Sequence, residues 1–224
     1  MILKILDSGS QGNCAIIKDT SGNQIIIDCG IKYEKIITHI NFDKPICCLV
    51  SHEHKDHSLS IDKIRNCGIG VYTHDNFVNG QLFSLNDNWK ILPIELPHDK
   101  DTTSYSFLIY NKIENKTIYF ATDCKELPQI ADKKYDLIMV ENNYSVEIVE
   151  ENSISGKLVN CGYLKHLSTE YVGKWLSRLS QKPKNLVITH LSNSGNISIP
   201  IIQNKLKPLC DNLYIAQKNM EIQI

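Results

Sequence analysis

Apolar positions in the first half of the chain fall in short runs that are separated by polar turns. These runs occupy positions 2–6, 15–18, 24–27, 46–50, 69–72, 91–96, 105–110, 117–121 and 137–140. Short runs of β-branched and aromatic residues between Gly, Ser, Asn and Asp are typical of strands, so a β-rich first half is predicted. The run at 46–50 is apolar throughout, which predicts a strand buried on both faces.

The second half of the chain carries helical periodicity. Val172, Trp175, Leu176 and Leu179 share one helix face, and Ser168 precedes them as an N-cap. Further apolar runs predict short helices at 31–40 and 200–207 and strands at 186–189 and 213–216. Strands first and helices interspersed later predict an α+β protein in which helices cover sheets.

Length and charge narrow the class of protein. At 224 residues the chain is expected to form one domain spanning 1–224. Its 24 basic and 25 acidic residues give a net charge of −1, which excludes a protein that coats nucleic acid by bulk charge alone. No apolar run approaches the roughly 18 residues of a membrane span, and the N-terminus lacks a secretion signal. A cytoplasmic protein without a membrane partner is expected, with its eight cysteines reduced.

The strongest chemical signal is a cluster of metal-ligand residue types directly after the run at 46–50. His52, His54, Asp56 and His57 fall within six residues. In extended backbone, residues two apart project to the same side, so His52 and His54 can bind one metal ion. If the chain then turns, Asp56 and His57 can bind a second one. Imidazole and carboxylate are the usual ligands of catalytic zinc, manganese or iron.

Four further candidates each follow an apolar strand. They are Asp28, His98, Asp123 and His190. Each one alone is equally well explained as a turn residue or as a polar group at a strand end. Together with the histidine cluster they supply the ligands that a two-metal site needs.

The order of these motifs resembles the metallo-β-lactamase superfamily. Within it, Ser8 to Cys14 (SGSQGNC), 27–30 (IDCG), 50–57 (VSHEHKDH), 97–99 (PHD), 122–123 (TD), 165–168 (KHLS) and 190–192 (HLS) resemble the motifs of the YycJ/WalJ-type exonuclease branch. The resemblance covers nearly the whole chain. It implies a four-layer αββα sandwich with two metal ions at one edge, between the sheets.

The resemblance also implies roles for single residues. One metal ion would be held by His52, His54 and His98. The other would be held by Asp56, His57 and His190. Asp123 would bridge the two ions, which would be zinc or manganese, with iron as a further candidate. Asp28 would orient a ligand histidine through a hydrogen bond.

Other residues are candidates for handling the substrate. His166 is a candidate for gripping the scissile phosphate or protonating the leaving oxygen, and its alternative is a plain position beside the Ser168 cap. Together with Asp56 as a metal ligand and Asp28 as an orienting residue, His166 makes up the candidate catalytic set. Ser8, Ser10 and Asn13 are candidates for holding a phosphate, although a plain tight turn would need the same glycines.

The sequence also departs from the family pattern. Lys165 stands where the family has a glycine before its first HLS motif, Ser60 replaces the glycine after the metal loop, and Tyr144 replaces a histidine. These changes concern the rim of the site, so they affect the substrate more than the chemistry.

The resulting hypothesis is a dinuclear metal-dependent phosphodiesterase acting on nucleic acid, similar to a DNA exonuclease. One alternative is a phosphodiesterase for nucleotides or cyclic nucleotides, which the compact chain and the altered rim favour. The neutral net charge and the short length argue against an extended DNA groove. Another is a hydrolase of small lactams, thioesters or lactones, because a fold does not fix a function. A metal-binding module without activity would leave a complete ligand set idle.

Overall fold

The computed structural model describes residues 1–44, 46–99, 101–156, 164–191 and 196–224. Among these residues the strands form two sheets. The first sheet has the order β13-β1-β2-β3-β4-β5, with β1 (Ile2–Asp7), β2 (Cys14–Lys18), β3 (Gln24–Ile27), β4 (Ile46–Leu49), β5 (Gly70–Tyr72) and β13 (Met220–Gln223). The second has the order β12-β11-β10-β9-β8-β7-β6, with β6 (Phe83–Ser84), β7 (Trp89–Asp99), β8 (Thr102–Asn111), β9 (Lys116–Ala121), β10 (Leu137–Glu141), β11 (Asn185–Thr189) and β12 (Asn212–Ile215).

The helices of the described residues are α1 (Tyr33–Ile37), α2 (Lys55–Ser58), α3 (Ile61–Asn66), α4 (Val146–Ile154), α5 (Thr169–Leu176) and α6 (Ile199–Leu206). Helices α1 and α3 cover the outer face of the first sheet, and α5 and α6 cover that of the second. Strand β11 shows the layering, because Val187 packs between the sheets while Leu186 and Ile188 pack beneath α5 and α6. On the other side, Ile36 of α1 and Ile64 of α3 pack on the first sheet. The predicted α+β class and the four-layer αββα sandwich are confirmed.

Strand direction gathers the candidate site at one edge. Strands β3 and β4 are parallel, and so are β9, β10, β11 and β12. The carboxyl ends of parallel strands meet at one edge of a sheet, so the residues that follow β3, β4, β9 and β11 converge there. This is why candidates that are distant in sequence become neighbours.

Most of the predicted elements are present, with differences at short or exposed segments. Ser168 caps α5 by accepting a hydrogen bond from the Tyr171 amide at 3.1 Å, as its position predicted. His98, expected just after a strand, lies instead inside β7, which runs on to Asp99. Helix α2 was expected only as a turn, and it has four residues, too few for a periodic signal. Within the described ranges, no helix is long and apolar enough to cross a membrane.

The turn after β3 is fixed by a close backbone approach to α2. The Cys29 amide donates to the His57 carbonyl at 2.8 Å, and the Asn13 amide donates to the Asp56 carbonyl at 2.7 Å. A Cβ atom on Gly30 would lie 1.6 Å from the Asp56 carbonyl oxygen. Only a glycine fits here, because the opposing atom belongs to backbone and cannot move aside.

Replacement of Gly30 by alanine is expected to destabilise the protein by about 3 kcal/mol or more, because the new methyl group would push α2 from the sheet. Urea unfolding measures the change. Gly70→Ala is the matched control, since its Cβ would meet nothing closer than the Tyr72 ring at 3.6 Å. Equal stability of the two variants would contradict this account of the turn.

Candidate metal centre

The segment after β4 supplies most of the metal-ligand residue types. His52 follows the strand in extended backbone, and His54 is the N-cap residue of α2. Asp56 and His57 then lie on the first turns of that helix. The rings of His52 and His57 are nevertheless only 4.2 Å apart, and both lie beside Asp123. The division of these residues between two metal ions stays a prediction.

A first group of ligand types brings together the side chains of His52, His54, His98 and Asp123. One ligand atom from each lies within 4.8 Å of all the others. His54 Nδ1 is 3.1 Å from His52 Nε2 and 3.3 Å from His98 Nε2. His52 Nε2 is in turn 3.3 Å from Asp123 Oδ2. The group matches the ligand set that the family resemblance implied for one ion.

A second group brings together Asp56, His57, Asp123 and His190, again with ligand atoms within 4.8 Å of one another. Asp56 Oδ2 is 3.5 Å from His57 Nε2 and 3.6 Å from His190 Nε2. His57 Nε2 lies 2.9 Å from Asp123 Oδ2. Asp123 belongs to both groups, and also to a third one with Glu141, His166 and His190.

The chemistry of these groups fits divalent cations. Nitrogen atoms of three imidazoles converge in the first group, and at most one proton can lie between any two of them. Asp123 Oδ1 and His190 Nδ1 are 3.0 Å apart, yet both are buried without a hydrogen bond. Buried polar atoms normally have a partner, so the convergence of a carboxylate and imidazole rings without one indicates a cation site.

The ligand histidines are oriented from behind by a chain of hydrogen bonds. Asp28 Oδ2 lies 2.7 Å from His57 Nδ1 and accepts its proton, and it also accepts from the Ser51 hydroxyl at 3.1 Å. Ser51 Oγ lies 3.0 Å from His52 Nδ1, and Thr102 Oγ1 lies 3.3 Å from His54 Nε2. Each of these rings thus engages one nitrogen with the protein and turns the other toward the cluster, an arrangement that fixes a metal ligand. The orienting role expected of Asp28 agrees with this geometry.

Three of the site residues adopt left-handed backbone. Asp28 has φ 57°, Asp123 has φ 47° and His190 has φ 51°, and each directly follows or nearly follows the end of a strand. For residues other than glycine this region costs about 1 kcal/mol or more, and such strain concentrates at functional sites. The sharp turns aim these side chains into the space between the sheets.

The ligand histidines differ in the direction in which the protein shifts their pKa. Burial lowers the pKa of His98 to about 4, so this imidazole is neutral and ready to bind a metal ion. Burial acts in the same direction on His190 and His57, but nearby carboxylates outweigh it. Asp123 and Asp56 raise the pKa of His190 to about 9, and Asp28 and Asp123 raise the pKa of His57 well above its usual value. In the metal-free protein these two rings are therefore protonated at neutral pH.

His166 pairs with Glu141 at the end of β10, within the third ligand group. His166 Nδ1 is 2.8 Å from Glu141 Oε2 and 3.4 Å from Asp123 Oδ1. Glu141 is fully buried and also accepts the Cys124 amide at 2.8 Å, so its carboxylate is fixed. Burial opposes protonation of His166, but Asp123 and Glu141 raise its pKa to about 10. His166 thus holds a proton beside the metal-ligand groups.

The predicted phosphate-binding turn makes bonds within the protein. Ser8 Oγ accepts the His190 amide at 3.0 Å, and Asn13 Nδ2 lies 3.0 Å from His57 Nε2. Ser10 is exposed. Ser8 and Asn13 therefore support site residues, and a phosphate contact from this turn stays a prediction. Ser192, part of the second HLS motif, lies outside the described residues.

Other residues with possible ligand atoms lie outside the groups around Asp123. Cys29 and Cys124 are fully buried in the apolar layers. His39 is only partly exposed and outside all the ligand groups formed by the described residues. Ser51 and Thr102, which orient the histidines, were not predicted, because hydroxyl residues at strand ends are too common to stand out.

Comparison with known proteins places this geometry in a known fold. No protein-family model and no curated protein matches the sequence. The crystal structure of the metallo-β-lactamase fold protein YhfI from Bacillus subtilis matches with a TM-score of 0.77 and 15% identity, over 99% of this chain and 98% of that one. The chain has the metallo-β-lactamase fold.

Two other similar structures share it. Zn²⁺-bound PqqB from Methylobacterium extorquens has a TM-score of 0.71 at 10% identity, over 100% of both chains. The short form of human tRNase Z has a TM-score of 0.66 at 13% identity, over 100% of this chain and 99% of that one. At these identities the likeness concerns the fold.

Replacement of Asp123 by asparagine is expected to lower the bound metal from two ions per chain to one or fewer, because both ligand groups use this carboxylate. His54→Ala changes only the first group and should spare the second ion. Elemental analysis after dialysis against zinc or manganese measures the content. His39→Ala is the control, and full metal content in Asp123→Asn would contradict the bridging assignment.

Metal binding at pH 7 is expected to release about two protons per chain, because His57 and His190 must lose a proton to act as ligands. Both pKa values are raised, so apparent metal affinity should increase as the pH rises from 7 toward 9. Calorimetric titration in buffers of different ionisation enthalpy counts the protons. A binding heat independent of the buffer would contradict the protonation of these rings.

Proposed function

We propose that the protein is a two-metal-dependent hydrolase that cleaves phosphodiester bonds of nucleic acid in the manner of a DNA exonuclease. The observation that carries the proposal is the His166–Glu141 pair at the edge of the two ligand groups. Glu141 and His166 also form a third ligand group with Asp123 and His190. The other two groups can hold two ions without this pair, whereas a hydrolase with an alkoxide leaving group needs a proton donor.

The bound ions would supply the common part of the chemistry. Two divalent cations held by the seven ligand residues would activate water and neutralise charge on phosphoryl oxygens. Zinc and manganese both suit imidazole and carboxylate ligands, and iron does as well.

Two side chains of the protein, His166 and Glu141, would supply the proton for the leaving oxygen. Glu141, which is outside both predicted ligand sets, pairs with His166 Nδ1 at 2.8 Å and favours the protonated ring, and the His166 side chain is 18% exposed, so it can reach a substrate at the mouth of the site. Glu141 fixes the ring and stabilises the imidazolium, while it is itself too deeply buried to touch a substrate. His166 would thus protonate the leaving oxygen, a step that typically contributes about 10²- to 10⁴-fold in rate.

Two comparisons support nucleic acid as the substrate. The motif series resembles the YycJ/WalJ-type exonuclease branch over nearly the whole chain. Among structures with the same fold is a tRNase Z, whose name states a nucleic acid substrate.

The first test is hydrolysis of a 5′-phosphorylated, 3′-labelled DNA oligonucleotide by the manganese-loaded protein, with His54→Ala as the metal-site control. Stepwise shortening that vanishes in the control is expected. A protein that holds two metal ions and leaves the oligonucleotide intact would overturn the proposal. Cyclic nucleotides and small phosphodiesters would then be tested in its place.

His166→Ala is expected to lower kcat on DNA by about 10²- to 10⁴-fold, and to affect a p-nitrophenyl phosphodiester far less. The reason is that p-nitrophenolate leaves without a proton, whereas a nucleoside alkoxide does not. Glu141→Gln should show the same substrate dependence with a smaller loss. Equal losses on both substrates, or loss of metal from His166→Ala, would show that His166 serves the metal site instead.

A further inference from the structure

An ion pair spans the rim of the candidate site. Lys165 Nζ lies 2.8 Å from Asp99 Oδ1 and 2.9 Å from Asp99 Oδ2. Lys165 directly precedes His166, and Asp99 directly follows His98. The rings of His98 and His166 are only 6.1 Å apart, so the pair lies beside both the metal-ligand group and the proton donor.

The ion pair contributes little to the stability of the site. The side chains of Lys165 and Asp99 are 51% and 27% exposed, and exposed pairs of this kind contribute little to stability. His166 is already held by the buried carboxylates of Glu141 and Asp123. A lysine at this place is therefore better explained by something it binds than by something it supports.

We propose that Lys165 binds a second phosphate of the substrate, next to the scissile one, and exchanges its contact with Asp99 for that phosphate. This inference rests on the proposed function. Lysine binds phosphate as a compact charge with three donors, and its long side chain can move from one anion to another nearby. Asp99 keeps the lysine at the mouth of the site until a substrate arrives.

The proposal specifies the substrate class. A cyclic nucleotide has one phosphate and offers Lys165 nothing further, whereas a nucleic acid strand presents the next phosphate one nucleotide away. Lys165 would therefore favour an oligonucleotide or polymer over a single nucleotide. Lys165 would contact the sugar–phosphate backbone of the strand, so its contribution to binding should be independent of base sequence.

The test measures binding of a 3′-labelled single-stranded DNA oligonucleotide with phosphorothioate linkages, which keep the charge of phosphate and resist hydrolysis. Fluorescence anisotropy is recorded with the metal-loaded protein over a range of salt concentrations. The variants are Lys165→Gln, Asp99→Asn and the double variant. Metal content is checked in each, because Asp99 adjoins His98.

Lys165→Gln is expected to weaken binding about 5- to 10-fold and to reduce the slope of log K against log salt by about 0.7. Asp99→Asn should tighten binding about 2-fold, because it removes the competing carboxylate. The double variant should bind more weakly than Asp99→Asn alone. Lys116→Gln is the matched control and should bind like the wild type. Lys116 also pairs with a carboxylate, that of Asp136 at 2.8 Å, but at the far end of β9 from Asp123.

Three results would overturn the proposal. Equal weakening of oligonucleotide binding by Lys165→Gln and Asp99→Asn would show that the ion pair stabilises the site and that Lys165 does not bind the substrate. Wild-type affinity in the double variant would show that Lys165 only neutralises Asp99. A wild-type protein that does not bind the oligonucleotide would exclude the phosphate contact. Binding and hydrolysis are measured separately, so lysine-dependent binding without cleavage of ordinary DNA would refute the proposed function alone.

Discussion

The buried carboxylate of Asp123 is the interaction on which the rest of the site depends. Its oxygens lie 2.9 Å from His57, 3.0 Å from His190 and 3.3 Å from His52. A carboxylate buried this deeply is costly unless charged or hydrogen-bonding groups surround it. Here those groups come from both sheets, so the two halves of the sandwich are joined through one side chain. A cation in either ligand group would serve the same purpose more strongly than protonated histidines do.

The surrounding fold holds this residue and its neighbours in a backbone conformation that they would not adopt alone. Asp28, Asp123 and His190 all have left-handed backbone, and each follows a strand packed on both faces. Burial of one aliphatic side chain contributes about 1.5–3 kcal/mol, and each of these strands buries several, which together outweigh the roughly 1–3 kcal/mol of strain at one turn. The apolar runs that make the strands recognisable in sequence are thus also what keeps the ligands in place.

The contrast between buried apolar strands and the polar turns that follow them explains what the sequence could predict. Short apolar runs predicted most of the strands, and the spacing of Val172, Trp175 and Leu176 predicted α5, because burial on a face leaves a periodic signal. The arrangement of the strands in two sheets came from the family resemblance. The family motifs then assigned the ligands to two groups that the structure brings together. Helix α4 was missed because it buries no side chain and so lacks that signal. The ion pair of Lys165 with Asp99 was also missed, because it joins residues that are 66 positions apart.

The formal charge of the chain gives a misleading picture of the site. A net charge of −1 argues against a polyanionic substrate if every acidic residue faces the solvent. Asp28, Asp123 and Glu141 are buried among histidines instead, and Asp56 is only a quarter exposed. Two divalent cations would add four positive charges and displace about two protons from His57 and His190, so metal loading would raise the charge by about +2, all of it at this edge. Electrostatic attraction of a nucleic acid strand would then depend on metal loading. The neutral net charge of the sequence therefore does not argue against a nucleic acid substrate.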